Sequence, residues 1–144
     1  MTTPKPVILL AEDDDNDVFF MRRALQKSGI DFALQVVRDG QQAIDYLNGH
    51  GAFSDRGQYP LPTVILVDLK MPFLDGFEVL TWIRTQPSLN GLPVAVLTSS
   101  AEERDRRRAR ELGARAYFVK PPKPETIQEV FRLIQEPDEK AITS

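Results

Sequence analysis

The chain has 144 residues, 18 basic and 21 acidic side chains, a net charge of −3 and 42% hydrophobic residues, the makeup of one compact domain with a sizeable core. The absence of cysteine excludes a disulfide scaffold, a zinc–thiolate centre and thiol catalysis, and the single histidine, His50, excludes a multi-histidine metal centre. Metal chemistry would have to use oxygen ligands. The opening MTTPKPVILLAEDDD has five apolar residues in a row before a run of carboxylates, too few for a signal-peptide core or a membrane span, and a cytoplasmic location is expected.

Taken in order, the chain alternates short apolar runs with helical patterns. Val7 to Ala11 (VILLA) is strand-length, and Val18, Met21 and Leu25 follow at helical spacing up to Gly29. Leu34 to Val37 is the second strand; Ala43, Ile44 and Leu47 mark the second helix, closing at Gly49. Residues 48–62 then form a fifteen-residue link with three glycines and two prolines, far longer than the usual ~2–6 residues between a helix and a strand. A tolerated surface insertion is the expectation, with a partner contact through Phe53 and Tyr59 as the sharper alternative. Val64 to Val67 is the third strand, and Phe77, Leu80 and Ile83 the third helix, which stops before Pro87. Val94 to Leu97 is the fourth strand. The next helix is expected to start on a capping box from Ser100 to Glu103 and to end at Gly113. Its five arginines, Arg104, Arg106, Arg107, Arg108 and Arg110, alternate with acids, which reads as a solvated or dimerising face rather than a nucleic-acid contact. Only Ala101, Ala109 and Leu112 are available to anchor it. Ala116 to Val119 is the fifth strand, and the last helix opens at Pro124 and carries Ile127, Val130, Phe131 and Ile134. Uninterrupted apolar strands alternating with helices predict an α/β fold, a doubly wound five-stranded parallel sheet with five helices on both faces.

In such a sheet ligands collect beyond the carboxyl ends of the strands. The residues there are Glu12, Asp13, Asp14 and Asp15 after the first strand, Asp68 after the third, Thr98, Ser99 and Ser100 after the fourth, and Lys120 after the fifth. Converging carboxylates repel one another unless a cation sits among them, and hard oxygen ligands suit magnesium. A carboxylate at Asp68 beside a divalent cation and an ammonium can attack phosphorus and become an aspartyl phosphate. His50 lies in the glycine-rich link, where an exposed bystander is the expectation.

These residues resemble the receiver domain of two-component response regulators. The resemblance runs over ILLAEDD at 8–14, VDLKMPFLDG at 67–76, VLTSSAE at 96–102 and GARAYFVKPP at 113–122. It implies a flavodoxin-like strand order 2-1-3-4-5 and a single receiver domain with its core at about 6–135 and a polar tail at 136–144. It implies Asp68 as phosphoacceptor, and Mg2+ held by Glu12, Asp13, Asp68 and the main-chain carbonyl of Lys70. Thr98 and Lys120 would stabilise the phosphoryl group, Thr98 and Tyr117 would form the switch, and the Lys120–Pro121 peptide would be cis. The long link before the third strand is similar to that of stand-alone regulators serving phytochrome-type histidine kinases. The implied partners are such a kinase and a second copy of the chain, docked through the fourth helix, fifth strand and fifth helix, with no DNA-binding domain and no membrane. The implied chemistry is limited to self-phosphorylation and self-dephosphorylation. Other readings of the same fold are a phosphorylation-independent binding module, a phosphate sink, a flavin protein and an aspartyl phosphatase. An acidic loop repels a flavin phosphate without a metal, and Lys70 stands where such a phosphatase carries its second aspartate.

Overall fold

The computed structural model describes residues 5–136. Five strands, β1 (Val7–Ala11), β2 (Ala33–Val37), β3 (Val64–Val67), β4 (Val94–Thr98) and β5 (Ala116–Val119), form one parallel sheet in the order β2-β1-β3-β4-β5. The helices are α1 (Asp15–Ser28), α2 (Gly40–Asn48), α3 (Gly76–Arg84), α4 (Glu103–Glu111) and α5 (Pro124–Gln135). This is the expected doubly wound α/β architecture in the expected order, with the reversal of strand order falling between β1 and β3.

The two-residue period of a strand divides the core between the sheet faces. Leu9, Ala11, Ile65, Val67 and Val96 pack on α2, α3 and α4, while Ile8, Leu10, Val64, Leu66 and Leu97 pack on α1 and α5. The central strands β1, β3 and β4 are buried throughout, as their unbroken apolar runs require. The outer strands β2 and β5 are only half-buried, and Val119 is exposed, because each has a neighbour on one side only. Among the described residues no helix is long and apolar enough to cross a membrane.

Helix ends follow local chemistry. Asp14 caps α1 by accepting from the Asn16 N–H at 2.8 Å, and α1 and α2 close on Gly29 and Gly49 in the left-handed region. Asp75 and Glu78 form a reciprocal capping box at α3. The capping box expected from Ser100 to Glu103 is not formed. The helix begins later than that box requires, with Glu102 at its cap, because the Ser100 hydroxyl is used by Asp105 at 2.6 Å and by the Glu102 N–H at 3.3 Å. Ala101 is exposed, so α4 is held by buried Ala109, half-buried Leu112 and two guanidinium groups. Arg106 lies over the Tyr117 ring at 4.8 Å and Arg108 over the Phe77 ring at 4.1 Å.

The 48–62 link packs back against α2. Phe53 and Tyr59 pack, half-buried, onto fully buried Tyr46, with ring centroids 5.2 and 5.9 Å from it. The Tyr46 hydroxyl donates to the Pro60 carbonyl at 2.7 Å. Burial pushes its pKa up to about 12. Arg56 donates to the carbonyls of Tyr46 and Leu47 in the last turn of α2 and of Tyr59 in the link, at 2.8–3.1 Å, which ties the link to the end of the helix.

Candidate functional site

The carboxyl ends of β1, β3, β4 and β5 bring the predicted polar residues together. The Glu12 N–H donates to Val37 O at 2.9 Å and the Asp68 N–H to Ala11 O at 3.1 Å, so both residues prolong the sheet ladder by one position. That placement buries the two carboxylates, at 1% and 6% exposure. Asp13 is exposed, and single carboxylate oxygens of Glu12, Asp13 and Asp68 lie within 4.8 Å of one another. Three hard donors at that spacing fit one divalent cation with water completing its shell. Lys70 is exposed, and its N–H makes a long 3.4 Å contact with Asp68 Oδ1.

Lys120 enters from the opposite side. Its N–H donates to Thr98 O at 2.8 Å, which ties the end of β5 to the end of β4, and the peptide to Pro121 is cis. Its Nζ donates to Asp68 Oδ2 at 2.8 Å and to Asp17 Oδ2 at 2.7 Å, and lies 2.6 Å from Glu12 Oε1. Burial works against the ammonium charge, yet the carboxylates of Asp17, Asp68 and Glu12 hold its pKa above the usual lysine range. Thr98 is fully buried at the same edge, and its Oγ1 has no hydrogen-bond partner among the described residues. A buried hydroxyl without a partner costs free energy, and this one is available to a ligand oxygen. The half-buried Tyr117 donates its hydroxyl to Ser100 O at 2.9 Å, under the Arg106 guanidinium, so it is tied to the β4–α4 connection rather than turned to water. Ser99 and His50 are exposed.

Asp17 is the contact that sequence reasoning missed. The first turn of α1 presents it to Lys120, yet in the run EDDDND it is one carboxylate among five.

Desolvation by burial raises the Glu12 pKa from 4.5 to about 7, outweighing the hydrogen bonds from Lys120 and the Asp14 N–H, with a further rise from the Asp68 charge. Between those values the folded chain keeps a proton that the unfolded chain has released, so this group's contribution falls as pH rises through that window. In metal-free buffer the wild type is therefore expected to lose thermal stability relative to Glu12→Gln as pH goes from 4.5 to about 7. Calorimetric melts across the window check this, and parallel profiles for the two chains would refute it.

The site can be set beside known proteins. Residues 8–132 match the response regulator receiver domain. The chain is 36% identical over 134 residues to Response regulator Rcp1 of Synechocystis sp., covering 93% of this chain and 87% of that protein. Among solved structures it is similar to the bacteriophytochrome response regulator AtBRR, with 38% identity, a TM-score of 0.81 and coverage of 92% of this chain and 94% of that one. It is also similar to the Mn(2+)-bound form of Rcp1, with 37% identity, a TM-score of 0.73 and coverage of 92% and 90%. A match over nearly the whole sheet, with the acidic residues, Thr98 and Lys120 at its carboxyl edge, means that this chain belongs to the response regulator receiver domain family.

Proposed function

We propose that this chain is a single-domain response regulator that accepts a phosphoryl group on Asp68 from the phosphohistidine of a separate histidine kinase. The observation that carries this reading is one buried ammonium, Lys120, bonded to Asp68 beside two further carboxylates, with an unpartnered buried hydroxyl at the same edge. In the transfer, an Asp68 carboxylate oxygen forms the bond to phosphorus while the donor's P–N bond breaks and its imidazole keeps the electron pair. Lys120 would balance the negative charge on the transferring oxygens, and Thr98 Oγ1 would donate to one of them once the group is attached. Glu12, Asp13, Asp68 and the Lys70 carbonyl would hold Mg2+, which supplies charge neutralisation at the phosphoryl oxygens when bound. The manganese in the Rcp1 structure supports a divalent cation in this role. Thr98 and Tyr117 would carry the new charge to α4, β5 and α5, since Tyr117 already joins β5 to the β4–α4 connection and to Arg106.

The test is incubation of the purified chain with Mg2+ and acetyl phosphate, read by intact mass. One phosphoryl addition is expected, and an unchanged mass would overturn the reading. The likeness to a bacteriophytochrome regulator makes a phytochrome-type kinase in the cytoplasm the partner to try first, by phosphotransfer from candidate phosphorylated kinases. Output through the α4, β5 and α5 face would include pairing with a second copy. Sedimentation is expected to show a dimer at high concentration, and only monomer with and without a phosphoryl mimic would sink that part.

A further inference from the structure

We infer that Asp17 is a positioning residue that keeps Lys120 in the site when Glu12 and Asp68 turn to a bound cation. This rests on the phosphoacceptor reading of Asp68 given above. An ammonium has three N–H donors, and Lys120 faces three carboxylates, those of Asp17 at 2.7 Å, Asp68 at 2.8 Å and Glu12 at 2.6 Å. Two of these three partners belong with Asp13 to the group that would hold the metal. A divalent cation among them competes for the same two carboxylates and repels the ammonium at close range.

Asp17 lies outside that group. It is the partner whose bond to Lys120 the cation does not contest. It is set in the first turn of α1, where the helix N-terminus favours a carboxylate, and its side chain is 26% exposed, shielded enough for a strong charge-assisted bond. Capping does not account for it, because Asp14 already fills that role. A lysine side chain is a flexible four-carbon stem that loses rotamer freedom when held, so without an anchor the cation would drive it into water. With Asp17 in place, Lys120 stays next to Asp68, where charge develops on the phosphoryl oxygens.

The experiment follows labelling by acetyl phosphate and Mg2+ in wild type, Asp17→Asn, Asp17→Glu, Lys120→Ala and the double variant Asp17→Asn with Lys120→Ala. Asp17→Asn is expected to slow labelling roughly tenfold through misplacement of Lys120. Asp17→Glu recovers part of the rate, and in the Lys120→Ala background Asp17→Asn changes nothing further. A second readout follows the Lys120 side chain by NMR as Mg2+ is added. It stays ordered in wild type and becomes mobile in Asp17→Asn. Equal labelling rates in wild type and Asp17→Asn, or an equal loss with and without Lys120, would overturn the inference. If wild type itself does not label, the phosphoacceptor reading falls, and the NMR comparison alone decides whether Asp17 anchors Lys120.

Discussion

Asp68→Asn is expected to lower phosphoryl incorporation from acetyl phosphate by more than about 10³-fold, to below detection by intact mass, because a neutral amide is not a nucleophile toward phosphorus. The fold should survive the change. The backbone bond from the Asp68 N–H to Ala11 O is independent of the side chain, and Lys120 keeps Asp17 and Glu12 as partners. Removing one charge also relieves the repulsion that Asp68 adds to the rise in the Glu12 pKa, although burial, the larger cause, still holds that pKa up. The thermal midpoint in metal-free buffer is therefore expected to hold or rise while labelling disappears. Labelling of the variant at the wild-type rate would place the acceptor elsewhere, and the proposed function would fail.

The sheet was legible in the sequence because its central strands are buried on both faces, which leaves uninterrupted runs such as VILLA and VILV with no competing helical period. The candidate site was legible for a related reason. Parallel strands all present their carboxyl ends to one edge, so the residues that follow the runs, Glu12, Asp68, Thr98 and Lys120, fall together there. Where contact depends on distant partners, local pattern had nothing to offer. The packing of the 48–62 link could not be read because the ring that Phe53 and Tyr59 pack on, Tyr46, belongs to the preceding helix, and the Arg56 guanidinium reaches back to carbonyls of α2. The start of α4 was misplaced for the same kind of reason. Ser100 has the right spacing to Glu103, but its hydroxyl is taken by Asp105 while its carbonyl accepts from Tyr117, a contact made only once β5 lies beside β4.

Gly76→Ala is expected to destabilise the fold by about 2–3 kcal/mol and to depress labelling of Asp68 in the molecules that remain folded. A Cβ at that position would stand 2.4 Å from the Asp68 carbonyl oxygen and 2.8 Å from Leu69 Cα. These are backbone atoms of the acceptor segment, so neither can step aside as a side-chain tip could. The Gly76 N–H also donates to Leu69 O at 3.0 Å, which fixes the start of α3 against that segment. On the far side, Gly40 of α2 leaves similarly little space, since a Cβ there would lie 2.1 Å from Leu74 O. The connection carrying Asp68 is thus clasped between two helix starts that only glycine permits, and pushing one of them outward moves the acceptor relative to Lys120. For a chain of this size the loss corresponds to a drop in thermal midpoint of roughly 8 °C. Gly91→Ala supplies the contrast. Gly91 has φ +90° and open space where a methyl group would stand, so alanine there costs about 1–2 kcal/mol through backbone strain alone and leaves labelling at the wild-type rate. Equal loss of labelling in the two variants would show that global stability, and not the packing of α3 against Asp68, sets the reactivity of the site.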